Sequence, residues 1–262
     1  MEILVCVRRV PDTSENEIAL NAEGNDIERD ELVYSVNEPD NYAVEEALQI
    51  RDRVGGSVTV VTVGSEEDEE ILRRELAMGA NRAVLISDGA FGGSDGRGIA
   101  TVLSEFVQKE HYDLILTGVQ ADDGAAQVGG MLAAMLDYPF ASLVNSIAVQ
   151  DGKLKVSREI EGGNREINEI DLPCVLSIQT GINEPRYVGM RGIRQVASVP
   201  IPTLCAGDLD IDERAVGKAA AKVMRIDYFV PALSKGADML HGSREENAEK
   251  ILELVAAKGG LK

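Results

Sequence analysis

The residues best suited to binding a phosphate lie at positions 118–130, GVQADDGAAQVGG, here called the glycine loop. The loop follows an apolar run at 114–117 and precedes a helical pattern through Met131, Leu132 and Met135. Glycines let the backbone approach a phosphate closely, and a helix start offers free N–H groups and the positive end of its dipole. The spacing differs from GxGxxG, so an ordinary βα loop is an equally good interpretation of these residues alone.

A second polar segment, formed by Asn37, Glu38, Pro39 and Asp40, stands directly before a helical pattern. In a doubly wound fold this segment lies near the end of the first strand, at the edge where ligands bind. Helix capping by Asp40 or Asn41 is the alternative, and the residues alone favour it. The glycine-rich segment 87–96 is interpreted as a mobile surface loop.

Residues 183–194, NEPRYVGMRGIR, combine three arginines with Tyr187 and Met190 in an otherwise strongly acidic chain. Arg, Tyr and Met are enriched in protein interfaces, and Met adapts its shape to several surfaces. This segment, here called the docking loop, is therefore a candidate interaction surface. A structural loop with internal ion pairs is the alternative, and the residue types alone favour it.

No residues combine as nucleophile, base and orienting group, so we predict no catalytic residue. The two histidines, His111 and His241, lack a metal-ligand neighbour at helical spacing, which argues against a zinc site. The adjacent carboxylates of Asp122 and Asp123 are interpreted as solvated. The three cysteines form no CxxC pair, a usage typical of reducing compartments, and we expect a cytoplasmic location.

Strand and helix patterns alternate through the part of the chain that must position these segments. Short apolar runs at 3–7, 58–63, 83–86 and 114–117 indicate buried strands, and helical periodicity lies between them. Alternating strands and helices predict crossover units and a parallel sheet with helices on both faces. The predicted fold class is α/β, with a doubly wound, mainly parallel, nucleotide-binding-like sheet.

After Pro139 the pattern changes to strand-like segments at 141–149, 153–160 and 164–170. They predict an antiparallel excursion, after which a strand over 172–178 returns to the main sheet.

The chain from about residue 200 onward is less regular than the part before it. We predict an α/β core over residues 1–200 and an extended arm over 201–262, lying on this chain's own core or on a partner. The arm ends in a helix with a capping box from Ser243 to Glu246 and a stop at Gly259.

Bulk composition excludes several classes of partner. Apolar residues make up 44% of the chain and the formal net charge is −19, which argues against a general nucleic-acid binder and against binding to anionic membranes. No segment approaches the ~20 apolar residues of a membrane helix. The N-terminus lacks the pattern of a signal peptide and is expected to be the first strand.

Several collinear segments resemble the beta subunit of electron-transfer flavoproteins. The closest match is GINEPRY at 181–187, and Asn168 departs from the family pattern, which expects an aliphatic residue there. The resemblance covers nearly the whole chain, and its other segments are 3–10, 37–47, 77–82, the glycine loop and 158–173.

The resemblance implies a heterodimer in which a larger alpha subunit holds the redox-active FAD and the beta subunit holds a structural AMP. The chain would then be an electron carrier subunit that accepts electrons from dehydrogenases, and its arm would pack on the alpha subunit. Carried over by position, the AMP pocket uses Cys6, Asn37, Glu38, Pro39, Asp40, Val63, Gly118, Val119, Gln120, Ala121, Asp122, Asp123, Gly124, Ala125, Ala126, Gln127, Val128 and Gly129.

The docking loop matches the segment with which the family grips partner dehydrogenases. Met190 occupies the position of its aliphatic anchor, and Glu159 aligns with an acidic residue that helps to hold the flavin domain. The partner-docking residues carried over are Pro185, Arg186, Tyr187, Met190, Arg191, Ile193 and Arg194.

Two alternatives stay open. In the electron-bifurcating branch of the family, the beta subunit binds a second FAD in place of AMP, and the glycine loop keeps much of that branch's pattern but is one residue shorter. A stand-alone nucleotide-binding protein of the same fold is the other.

Overall fold

The computed structural model describes residues 1–121, 124–150, 152–232 and 236–260. Its contacts divide the chain into two compact units. The first comprises Met1–Ala19 and Glu28–Ile226, and the second comprises Leu20–Ile27 and Asp227–Lys262.

The strands are β1 Glu2–Cys6, β2 Arg9–Pro11, β3 Tyr34–Val36, β4 Ser57–Val63, β5 Arg82–Ile86, β6 Leu114–Gly118, β7 Phe140–Gln150, β8 Lys153–Ile160, β9 Asn164–Asp171, β10 Cys174–Ile178 and β11 Thr203–Leu204. The helices are α1 Glu38–Val54, α2 Glu69–Met78, α3 Gly96–Lys109, α4 Val128–Leu136, α5 Met190–Val196, α6 Gly217–Ala220 and α7 Arg244–Ala257.

The main sheet has the order β11-β5-β4-β1-β6-β10-β7-β8-β9. From β1 the chain winds outward through β4 and β5, then returns to the other side of β1 with β6, and these strands are parallel. The winding direction therefore reverses between β1 and β6, where a doubly wound sheet binds its ligands. The predicted fold class is confirmed.

The antiparallel excursion is also confirmed. Strand β8 is antiparallel to β7 and β9, and β10 then inserts between β6 and β7, parallel to both. The β8–β9 register runs from Lys153 opposite Asp171 to Ile160 opposite Asn164, with Asn168 opposite Val156. The unusual Asn168 therefore leaves the strand pairing continuous.

Each face of the parallel sheet has its own apolar core. Side chains alternate along a strand, so Ile3 and Val5 pack on the α1 and α2 side, while Leu4 packs on the side of α3 and α4. Helix α3 contributes Val102, Leu103, Phe106 and Val107 to the second core, in the stripe expected from its sequence.

The first unit extends past residue 200. Strand β11 pairs with β5, and Ala206, Leu209 and Val216 are buried in the second core. The segment 87–96, interpreted from sequence as a mobile surface loop, is instead the anchor of this extension. Side-chain oxygens of this segment accept backbone N–H groups from the extension at three points. Asp88 accepts from Ala206, Ser94 from Gly217 and Asp95 from Lys222.

The second unit contains the capped C-terminal helix that the sequence predicts. Ser243 and Glu246 form the capping box of α7, and Gly259 adopts φ 75° just after the helix. The apolar residues of α7 are exposed, with Ile251 at 51% and Leu252 at 56%. Within the described ranges, no helix is long and apolar enough to cross a membrane.

Candidate functional site

The two polar segments singled out in the sequence meet at the switch point of the sheet. Gly118, the last residue of β6, donates its N–H to Asp40 Oδ1 at 2.9 Å. Asn37 Nδ2 donates to the carbonyl oxygen of Gln120 at 3.1 Å. The start of α1 and the start of the glycine loop therefore form one polar site, although their residues lie some 80 positions apart, with separations of 78 and 83.

Asp40 serves this junction. Its second carboxylate oxygen accepts the Arg8 N–H at 2.9 Å, so the carboxylate joins the start of α1 to both β6 and the chain just after β1. The interpretation that Asp40 or Asn41 caps the helix is wrong, because both residues lie inside α1, whose N-cap is Asn37 and which has no side-chain cap hydrogen bond. Burial raises the pKa of Asp40 to about 7. Hydrogen bonds from Asn37, Gly118 and Arg8 oppose this shift, because they favour the ionised carboxylate.

Two glycines of the loop are required by close packing. A Cβ at Gly118 would lie 2.8 Å from Asp40 N and would overlap its carboxylate. A Cβ at Gly129 would lie 2.8 Å from Thr117 Oγ1 and would overlap Ser177 Oγ. Because Gly118 has no side chain, the glycine loop packs directly on α1. Because Gly129 has none, the start of α4 packs directly on β6 and β10, and the first N–H groups of α4 lie beside the edge of the sheet.

Cys6 and Val63 end β1 and β4 on the same side of the sheet, and both are half-buried. Cys6 lies opposite Thr117 of β6. Burial and the nearby charge of Asp40 raise the pKa of the Cys6 thiol, so the thiol stays protonated at neutral pH. Cys6 can therefore act as a small apolar surface beside a ligand and not as a nucleophile.

The remaining predicted nucleotide-binding residues follow the chain from β6 to α4. Gln120 Nε2 donates to the carbonyl oxygen of Gly124 at 3.1 Å, which folds the loop back on itself. Gln127 packs against the start of α3 at Gly96. Asp122 and Asp123 lie outside the described residues. The others on this path are Val119, Ala121, Ala125, Ala126 and Val128.

A cleft of about 520 Å³ opens beside the junction of α1 and the glycine loop. Glu38, Pro39, Gln120 and Ala121 line one part of it, and residues of β2, β3 and the segment after β2 line the rest. Among these, Asp12, Ser14 and Ser35 went unnoticed in the sequence. Strands β2 and β3 are three residues each, too short for a periodic signal.

The docking loop lies against α1 and α2. Arg186 forms a bidentate ion pair with Glu45 of α1, with Nε–Oε2 at 2.8 Å and Nη2–Oε1 at 3.0 Å. Although burial opposes the shift, the Arg186 hydrogen bonds lower the pKa of Glu45. One of the three arginines of the docking loop therefore forms an ion pair within this chain, as the alternative of a structural loop predicts.

Other docking-loop residues face solvent. Tyr187 is 94% exposed and Met190, the first residue of α5, is 67% exposed. Arg191 and Arg194 are exposed, and Pro185 and Ile193 are half-buried. Large exposed apolar and aromatic groups on a fixed loop suit an interface.

Glu159 is remote from both groups of residues along the sheet. It is exposed on β8, opposite Arg165 of β9. Nowhere in the described ranges do His, Cys, Asp and Glu cluster as a metal site would require.

Known proteins resemble this chain over most of its length. Residues 25–209 match the electron transfer flavoprotein domain. The electron transfer flavoprotein subunit beta of Methylophilus methylotrophus is 36% identical over 260 residues, covering 97% of this chain and 98% of that protein. The CarD subunit of the caffeyl-CoA reductase–Etf complex of Acetobacterium woodii is 37% identical and covers 93% of each chain. Protein FixA of Azotobacter vinelandii is 33% identical, covering 98% of this chain and 94% of its own.

Proposed function

Since this chain belongs to the family of electron transfer flavoprotein beta subunits, we propose that it is one subunit of a heterodimeric electron carrier. The heterodimer accepts electrons from dehydrogenases and passes them to a downstream acceptor. The observation that carries this proposal is the junction of the glycine loop with the Asn37–Asp40 turn at the switch point, because a doubly wound sheet binds its ligands there.

The residues of this junction fit a structural AMP. The start of α4, packed closely through Gly129, suits a phosphate, because its first N–H groups and its dipole favour an anion. The half-buried Cys6 and Val63 would provide an apolar wall, and the Asn37–Asp40 turn would provide polar contacts. FAD, held mainly by the alpha subunit, supplies the electron-carrying chemistry when bound.

The exposed apolar stripe of α7 supports an alpha-subunit partner. Helices with such stripes bury them against another surface. We propose that the arm, residues 201–262, packs on the alpha subunit through its final helix α7, while its first part packs in this chain's own core. We also propose that Glu159 contacts the flavin domain of the alpha subunit and that the docking loop binds dehydrogenases. We expect the complex to be cytoplasmic, in keeping with its free cysteines.

A second candidate function is that of a beta subunit in an electron-bifurcating flavoprotein, with a second FAD in place of AMP. Gln127, Val128 and Gly129 at the start of α4 keep that branch's pattern. The shorter glycine loop and the docking loop favour AMP and the simple carrier.

Release of the nucleotides from the purified heterodimer tests these proposals. We expect denaturation to release one FAD and one AMP per heterodimer, identified by chromatography and mass spectrometry. Two FAD molecules and no AMP would overturn the carrier in favour of the bifurcating subunit. A chain that purifies alone, folded and without flavin or partner, would favour a stand-alone nucleotide-binding protein.

A further inference from the structure

The docking loop is fastened to α1 by carboxylates that solvent scarcely reaches. Glu45 is 4% exposed and Glu46 is 5% exposed. Besides its bidentate ion pair, Arg186 donates its backbone N–H to Glu45 Oε2 at 3.1 Å. Three donors of a single residue therefore converge on one nearly buried carboxylate, the arrangement in which charge-assisted hydrogen bonds are strongest.

Asn183 provides a second attachment, three residues earlier. Its Nδ2 donates to the carbonyl oxygen of Tyr42 and to Glu46 Oε2, both at 3.1 Å. The first half of the docking loop is thus held at two points along the same helix. Because α1 also borders the nucleotide junction through Asp40, it is a rigid reference for the loop.

The second half of the loop rests on α2. Arg73 Nη1 donates to the carbonyl oxygens of Val196 and Val199, both at 2.8 Å, at the end of α5. Gly192 approaches Ala77, where an added Cβ would lie 3.6 Å from the Ala77 carbonyl oxygen. Between these attachments, Tyr187 and Met190 are the large apolar or aromatic side chains that face solvent.

We propose that Glu45 and Arg186 are positioning residues that hold Tyr187 and Met190 in the arrangement partner dehydrogenases bind. The Arg186 guanidinium, although its side chain is 39% exposed, is already paired with Glu45 before a partner docks. This inference rests on the proposed docking function of the loop.

The burial of Glu45 makes the inference testable. A carboxylate that is 4% exposed cannot contact a docked protein, so its effect on docking must pass through the loop. A direct contact by Arg186 makes the opposite prediction, because Glu45→Gln would leave the arginine charge in place or free it for the partner.

The experiment uses the purified heterodimer as the varied substrate of a dehydrogenase that reduces the wild-type complex. The variants are Glu45→Gln, Arg186→Lys and Met190→Ala. Arg186→Lys keeps the charge but lacks the planar fork, and it carries the test if Glu45→Gln lowers the yield of heterodimer. The control is Arg214→Lys, since Arg214 forms a comparable bidentate pair with Asp212 but is 91% exposed at its side chain.

We expect Glu45→Gln and Arg186→Lys to raise KM for the heterodimer about fivefold or more, with kcat within about twofold of wild type. Flavin content and flavin reduction by dithionite should stay unchanged, as should every parameter of Arg214→Lys. If only Met190→Ala raises KM, the positioning role is overturned and the docking function stands. If none of the three variants, Met190→Ala included, raises KM, the proposed docking function is wrong, and this inference is wrong with it.

Discussion

At the scale of single residues, the candidate site depends on positions where a side chain is missing. Gly118 and Gly129 leave room that Asp40, Thr117 and Ser177 occupy. From the sequence, both glycines are predicted to let the backbone approach a phosphate closely. The structure adds that protein groups already fill the space of their Cβ atoms, so each glycine also fixes the packing of the loop.

We predict that Gly118→Ala lowers the free energy of unfolding by about 1–3 kcal/mol, because the methyl group overlaps Asp40 and must displace α1 or the loop. Bound nucleotide should fall with it. Thermal unfolding and nucleotide content of the heterodimer measure both effects. Gly89→Ala is the matched control, since its Cβ would meet no atom within 4 Å; equal losses in the two variants would contradict the prediction.

A buried carboxylate outside the site predicts a pH dependence of stability. Glu75 is 0% exposed, and neither of its carboxylate oxygens has a hydrogen-bond partner. Burial raises its pKa from 4.5 to about 8; the positive charge of Arg74 opposes this shift and the negative charge of Asp40 adds to it. Between these two pH values the folded state binds a proton that the unfolded state has lost. Stability contributed by this group therefore falls as pH rises from 4.5 to about 8 and is level above that.

Glu75→Gln should remove this dependence, because the amide does not ionise. We expect the variant to be more stable than wild type by about 1–3 kcal/mol at pH 9, with the difference shrinking towards pH 5. Thermal unfolding across this pH range makes the comparison, with the exposed Glu70→Gln on the same helix as control. A constant difference between Glu75→Gln and wild type at every pH would exclude the titration of Glu75.

At the scale of elements, each short helix depends on its neighbours. Helix α5 has seven residues, too few to be stable alone. Its C-terminal carbonyl groups are satisfied by Arg73 of α2, whose Nε also donates to Glu69 at 3.1 Å. The end of α5 is therefore held by a side chain that lies 123 residues away in the sequence.

We predict that Arg73→Met loosens α5 by about 1–2 kcal/mol, since the last carbonyl groups lose their charged donor. Amide hydrogen exchange of residues 190–199 should accelerate accordingly. Arg74→Met, an exposed neighbour on the same helix, is the control. Unchanged exchange in Arg73→Met would mean that α5 is held by other contacts.

At the scale of the whole molecule, acidity and exposed apolar surface have separate roles. A net charge of −19 favours solubility, while α7 exposes Ile251, Leu252 and Val255. Helix α7 has no buried residue in the part of the chain that the structure describes. On the proposed function, the alpha subunit covers this stripe.

Leu252→Glu should weaken the heterodimer at least about tenfold, because a carboxylate would be buried at an apolar interface. Co-purification and light scattering after size exclusion measure the association. Ala257→Glu adds the same charge on the opposite face of α7 and should leave the complex intact. A stable Leu252→Glu heterodimer would show that the stripe is not the contact.

Periodicity and residue type determined the regular part of this protein by themselves. Buried strands need continuous apolar runs and amphipathic helices need a stripe, so the parallel sheet, α3 and the capped α7 were predictable from local sequence. The sequence also identified the segments at 37–40, 118–129 and 183–194. Local pattern carries no information about long-range partners, and β11 and the anchoring role of 87–96 were therefore missed.

Only the tertiary structure decided what the polar residues of these segments do. The carboxylate of Asp40 accepts the N–H groups of Gly118 and Arg8 and does not cap α1. Arg186, although 39% exposed at its side chain, pairs with the nearly buried Glu45, while Tyr187 stays in solvent. Most buried polar groups are hydrogen-bonded, and the partners of Asp40 and Glu45 lie far away in sequence, where only the fold brings them close.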